Sequence, residues 1–267
     1  MNSRKQLEQA LAKQMKIEPR HVQIGPATIH YKVVGTGRPL ILVHGLSGST
    51  RWWVKNLPPL IEKFQVYMVD LIGFGHSWSH AGFMVDEAAL YLKKWLDKLK
   101  IEQASIIGHS MGGSIVADLA ADFPEKIERL VLVNAVGVPF EHNIPKQALG
   151  MAQALRYVPF DLLRVVIGDT FRVGLVNTLE LGHELLTRDI TAKLANISAP
   201  VLIIWGEHDT IVPLRLGEKL NSCLPNSQLM VIEGAAHVPM WEKPEAFNQA
   251  VLDFLVGQPA LSAKSRS

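Results

Sequence analysis

The stretch Ser105-Ile-Ile-Gly-His-Ser-Met-Gly-Gly-Ser-Ile-Val116 changes character at its centre. A short apolar run from Ser105 ends in Gly108-His-Ser-Met-Gly112, and a small-residue run compatible with a helix starts at once from Met111. The switch predicts a strand that turns sharply into a helix, with Ser110 at the turn. Such a turn crowds its neighbours, and glycines at 108 and 112 remove the side chains that would collide. It also lifts the serine hydroxyl above the sheet edge, while the first N–H groups of the helix face any negative charge that forms there. These features suit a nucleophile.

Working outward, the chain is rhythmic on both sides of this turn. Short apolar runs at Leu40 to Val43, Gln65 to Val69, Ser105 to Gly108, Leu130 to Val133, Val201 to Trp205 and Gln228 to Ile232 read as strands. Amphipathic helical stretches are expected at Asp86 to Lys100, Met111 to Ala121 and Glu245 to Val256. Runs too short for helices, alternating with helix-length segments, imply β-α-β crossovers and a mostly parallel sheet covered on both faces. Ligands of such sheets bind beyond the carboxyl ends of the strands, so the chemistry belongs in the loops just after these runs. Earlier in the chain, His21 to Ile24 and Thr28 to Val34 flank Gly25-Pro26 and predict a hairpin, preceded by an N-terminal helix within residues 1–20. Between 137 and 191 no strand candidate occurs, only helix-like stretches such as Ala148 to Tyr157 and Leu162 to Ile167, punctuated by prolines and Gly168. That segment reads as an inserted helical lobe. The remaining division is a core of 21–136 and 192–257, with a disordered tail over 258–267.

Composition narrows the class. Of 267 residues, 48% are hydrophobic and 19% charged, which fits a globular body with a large core. The net charge of +2, with both signs interleaved, argues against nucleic acid as a partner. No apolar stretch approaches the ~18 residues of a membrane-spanning helix, so no transmembrane segment is expected. The single cysteine, Cys223, has no internal partner, and the first twenty residues lack an apolar signal-peptide core; a cytoplasmic location is expected. No Cys/His/Asp cluster has metal-site spacing, and Gly35-Thr-Gly37 lacks the setting of a dinucleotide fingerprint. Neither a metal nor another cofactor is expected.

A serine hydroxyl is inert without a base. Of ten histidines, His237 follows the last strand candidate directly and so lies at the same sheet edge as Ser110. The imidazole needs a carboxylate to orient it. Trp205-Gly-Glu-His-Asp209 follows the fifth core strand, so Asp209 is the favoured acid and Glu207 its competitor; Asn134, after the fourth, cannot carry the charge.

The order Ser, Asp, His, together with five motifs in sequence, resembles the α/β-hydrolase fold superfamily, in its branch of small carboxylesterases. The motifs are Leu42-Val-His-Gly-Leu-Ser-Gly48, Asp70-Leu-Ile-Gly-Phe-Gly-His-Ser77, Gly108-His-Ser-Met-Gly-Gly113, Gly206-Glu-His-Asp209 and His237-Val-Pro-Met-Trp-Glu-Lys-Pro244. The resemblance covers about Val22 to Leu255 and implies an α/β fold with a mostly parallel central sheet flanked by helices and an inserted helical cap. It implies Ser110 as nucleophile, Asp209 as acid and His237 as base, with the N–H groups of Leu46 and Met111 as the oxyanion hole. His44, Gly45, His109 and Val238 adjoin these groups and are expected at the substrate. Asp70, Gly73, Gly75 and Ser77 are expected to be structural, and Glu242 to start the last helix. The implied activity is cofactor-independent hydrolysis of a small ester with an apolar acyl or alcohol group. The competing expectations are thioester hydrolysis, C–C cleavage of ring-cleavage products, and a sensor that keeps the triad without turnover.

Overall fold

A computed structural model of the chain describes residues 17–80, 82–139, 149–150, 152–154 and 156–257. The expected N-terminal helix lies largely outside these residues, as does the tail from 258. Its expected end is corrected: Glu18 to Arg20 already belong to the first strand.

Nine strands form one sheet: β1 Glu18–Ile24, β2 Ala27–Val34, β3 Arg38–Val43, β4 Phe64–Val69, β5 Trp78–Ser79, β6 Ala104–His109, β7 Ile127–Val133, β8 Val201–Gly206 and β9 Ser227–Ile232. The order is β1-β2-β4-β3-β6-β7-β8-β9, with the short β5 paired to β2. β1 and β2 make the antiparallel hairpin, turning at Gly25 with a φ of 57° that glycine tolerates. From β4 to β9 along this order every pairing is parallel. The crossover after β3 leads to β4 on one side, and the crossover after β6 leads to β7 on the other. The crevice between the ends of β3 and β6 is therefore the topological switch point, where a parallel sheet opens to ligands.

Strands β6 and β8 are buried along their whole length, as continuous apolar runs in a parallel sheet require. Their side chains alternate between two cores. Ile106 and Ile203 pack on one face with helices α1 (Val85–Lys98) and α2 (Met111–Asp122); Ile107 and Leu202 pack on the other with Trp53, Leu57, Leu60 and Phe247. Phe247 belongs to the closing helix, Pro244–Val256. Every predicted core strand and helix is present within a few residues.

Between β7 and β8 the chain makes helices α3 (Phe160–Val173) and α4 (Leu175–Thr187), and residues 137–191 hold no strand among those described. The two ends of this insertion meet where Ile190 N–H donates to Gly137 O at 2.8 Å. A further helix, α5 (Leu214–Cys223), buries Leu216, Gly217 and Leu220 and packs Leu214 partly against the core. Cys223 ends this helix and is partly buried against the core. Among the described residues no helix is long and apolar enough to cross a membrane.

Candidate active site

Ser110 sits between β6 and α2 at φ 51°, ψ −116°, the strained left-handed backbone that a sharp strand-to-helix turn imposes. The turn is over-determined by its surroundings. Ser110 N–H donates to Val133 O at 2.9 Å, and Val136 N–H donates to Ser110 O at 3.3 Å. A Cβ at Gly108 would lie 2.5 Å from Gly112 O, and one at Gly112 would lie 2.4 Å from His44 O. Neither position admits a side chain, which is the physical reason for the Gly-x-Ser-x-Gly spacing.

Ser110 Oγ lies 3.2 Å from His237 Nε2, and His237 Nδ1 lies 2.8 Å from Asp209 Oδ2. The carboxylate is held on all sides. Its Oδ1 accepts from the N–H groups of Ile211 and Val212, each at 2.9 Å, and its Oδ2 also accepts from Asn134 Nδ2. Because an ionised carboxylate only accepts, His237 Nδ1 carries the proton and Nε2 presents a lone pair to the serine. Burial pushes the His237 imidazole down, but the charge and hydrogen bond of Asp209, with Glu242 behind it, outweigh this and hold its pKa above the usual histidine value. Glu207 is elsewhere: its Oε2 accepts from Gly234 N–H at 3.0 Å. Of the two acids weighed from the sequence, the fold brings Asp209 to His237.

The loop after β3 closes the other side. A Cβ at Gly45 would lie 3.0 Å from Ser110 Cβ, so the backbone there abuts the nucleophile. Leu46 follows in the turn closed by Gly48 N–H to Gly45 O, and a Cβ on Gly182 of α4 would approach the Leu46 side chain to 3.6 Å. Met111 is the first residue of α2, where the helix leaves its N–H groups without intrahelical acceptors.

Three of the four residues expected at the substrate, His44, His109 and Val238, have buried side chains. His44 is fully buried; its Nε2 accepts from Leu71 N–H at 3.1 Å, which puts the proton on Nδ1, 2.8 Å from Gly45 O. Burial depresses its pKa, so it is a neutral strut under the Gly45 loop. His109 is buried as well, and its Nε2–H donates to His237 O at 2.7 Å. Burial, reinforced by the neighbouring His237, drives its pKa well down. Val238 is buried in the core and its N–H goes to Glu242 Oε1 at 3.2 Å. His44 is held by backbone partners and Val238 N–H by the Glu242 carboxylate, while His109 Nδ1 is buried without a hydrogen-bond partner; the Gly45 backbone lies against Ser110.

Two groups escaped the sequence reading. Glu242 spans His237 from below, accepting from Ala236 N–H through Oε2 and from Val238 N–H through Oε1. Burial raises its pKa while those two N–H groups pull it down, with a net rise. Asn134, dismissed as an acid, donates to Asp209 instead, and its φ of 43° turns the chain out of β7. The sequence signal was available only in part: an amide at the strand end where an acid can stand.

The helical insertion is tied to the core at several points. Asp169 of α3 is buried against Ser49 Oγ at 2.8 Å and paired with Arg51. Thr210, beside Asp209, donates to Gly150 O at 2.7 Å, and Arg188 pairs with Asp118 of α2 and Asp86 of α1. Two large apolar side chains of the insertion, Leu149 and Phe160, are exposed at 58% and 68% and so lie outside any closed pocket.

The chain matches the model of the alpha/beta hydrolase fold family over residues 38–186 and 177–244. It belongs to that family and is a hydrolase of it. A 2-hydroxy-6-oxononadienedioate/2-hydroxy-6-oxononatrienedioate hydrolase of Paraburkholderia phymatum is 33% identical over 261 residues, covering 85% of this chain and 90% of the relative. Among solved structures, a bacterial membrane phospholipase A is 26% identical with a TM-score of 0.80, covering 96% of this chain and 90% of its own. A carboxylesterase from Bacillus subtilis has the same fold, at 24% identity, TM-score 0.77 and coverage of 96% and 98%.

Proposed function

We propose that the protein is a serine hydrolase that cleaves carboxylic esters through an acyl-enzyme, without a cofactor. The observation that carries this reading is the continuous relay from Ser110 Oγ to His237 Nε2 at 3.2 Å and from His237 Nδ1 to Asp209 Oδ2 at 2.8 Å. Ser110 Oγ attacks the carbonyl carbon as its proton passes to His237 Nε2; the proton then goes to the leaving alkoxide as the ester bond breaks. Water repeats the sequence on the acyl-enzyme and releases the acid. The N–H groups of Leu46 and Met111 hold the tetrahedral oxyanion, one such donor being worth about 3 kcal/mol. Residues 137–191 act as the cap, and their apolar side chains favour a small ester with an apolar acyl or alcohol group, taken up in the cytoplasm.

A second reading, C–C cleavage of a ring-cleavage product, draws on the Paraburkholderia relative. His109 and Val238 stand where such hydrolases often carry Asn and Trp, and this favours esters. The experiment is intact mass after incubation with a fluorophosphonate, on wild type and Ser110→Ala, followed by a panel of esters and thioesters graded by chain length and a ring-cleavage product. One adduct on the wild type alone, with esters turned over fastest, is the expected result. No adduct on a folded protein overturns the hydrolytic role in favour of a sensor that keeps the triad.

A further inference from the structure

Away from Ser110, two histidines meet a buried carboxylate, and a third stands beside one of them. Asp70, at the end of β4, is fully buried; its Oδ1 accepts from Thr50 N–H at 2.7 Å, and its Oδ2 accepts from His76 N–H at 3.0 Å and from His30 Nδ1–H at 2.8 Å. These bonds already satisfy the carboxylate. The ring of His76 is superfluous to them: its Nδ1 stands 3.7 Å from Asp70 Oδ2, too far for a hydrogen bond, and its side chain is 61% exposed. His21, the cross-strand partner of His30, is exposed, and its ring lies 4.8 Å from that of His30, which in turn lies 4.9 Å from His76.

We infer that His30, Asp70 and His76 form a site for a borderline divalent cation, of which zinc is the best-matched member, with water as the fourth ligand. A nitrogen from each histidine and an oxygen from Asp70 lie within 4.8 Å of one another. Zinc takes imidazole nitrogen and carboxylate oxygen at about 2.0–2.1 Å in a tetrahedral array, which places neighbouring ligand atoms about 3.4 Å apart. The separations from Asp70 Oδ2, 2.8 Å to His30 and 3.7 Å to His76, straddle that value, and the exposed His76 ring has room to turn towards His30 and close the set. On binding, the His30 proton moves from Nδ1 to Nε2 and the ring stays neutral, so the freed Nδ1 lone pair becomes a ligand. Thr50 N–H on Oδ1 keeps the carboxylate in place throughout, and the exposed His76 supplies the entry path. Spacing in the sequence hides the site because its ligands come from β2, the end of β4 and the loop beyond.

The test is calorimetric titration of the full chain with zinc, on wild type, His76→Ala and His237→Ala, with thermal unfolding in zinc and in chelator. The expected result is one equivalent bound and a raised Tm in the wild type, with affinity lowered at least about tenfold in His76→Ala and unchanged in His237→Ala. In chelator, His76→Ala should unfold at the wild-type temperature, since that ring is exposed. Absence of saturable binding at millimolar zinc, or binding that survives His76→Ala and vanishes in His237→Ala, overturns the assignment.

Discussion

Asp169 and Ser49 lie 120 residues apart in the chain, yet the serine hydroxyl donates to the buried carboxylate at 2.8 Å. Ser49 follows the Gly45 loop that abuts Ser110, and Asp169 rides on α3 of the insertion, so one carboxylate ties the insertion to that loop. Replacing Asp169 with Ala strands both the Ser49 hydroxyl and the half-exposed Arg51 guanidinium. The expected cost is about 2 kcal/mol in urea unfolding, with a higher KM for esters as the insertion loosens. A variant with unchanged stability and unchanged KM shows that the tie is ornamental.

Ser110→Ala keeps the backbone contacts of the turn and removes only the hydroxyl. Ester hydrolysis should fall by about 10⁴ or more with the circular dichroism spectrum unchanged. Retention of a tenth of wild-type kcat moves the nucleophile elsewhere.

The two acids of the Gly206-Glu-His-Asp209 motif separate cleanly. Asp209→Asn puts an amide where the His237 Nδ1 proton is received and should lower kcat by about 10⁴, as in the serine-protease triad. Glu207→Gln alters a contact to Gly234 N–H and the approach of His208, neither of them at His237, and should leave kcat close to wild type. The reverse ranking would falsify the role of Asp209.

Glu242 positions the base by gripping the N–H groups on either side of His237. Glu242→Gln leaves one acceptor for two donors. The loop should loosen and kcat fall about tenfold, near 1.4 kcal/mol of barrier, while KM stays put. A change confined to KM would argue for contact with substrate instead.

The pH dependence has a definite sign. His237 must be neutral to accept the Ser110 proton, and Asp209 holds its pKa above the ordinary histidine value. The acid limb of kcat/KM should therefore lie above ~6.5 and move down in Asp209→Asn. For stability the same shift works oppositely: protonated His237 stabilises the fold fully below the unfolded pKa, and that contribution disappears as pH rises through the raised folded one. An acid limb below the ordinary value contradicts the charge coupling seen here.

Local patterns carried far. Buried parallel strands must be continuous apolar runs, so β3, β4 and β6 to β9 stand out within a few residues, and a serine at φ 51° must be flanked by glycines where a Cβ would strike backbone. Ser110, Asp209 and His237 were legible because each follows a strand, and all strand ends of a parallel sheet share one edge. Helix α5 was not, since Pro213 before it and Gly217 within it are breaker signals in the linear pattern. The roles of His44, His109, Asn134 and Glu242 depend on which backbone atom each side chain meets, over separations as long as the 128 residues between His109 and His237. The gathering of His30, Asp70 and His76 is of the same kind. Strand and turn propensities are local, and a linear pattern registers them; a hydrogen bond across the sheet edge exists only once packing has brought distant segments within about 3 Å.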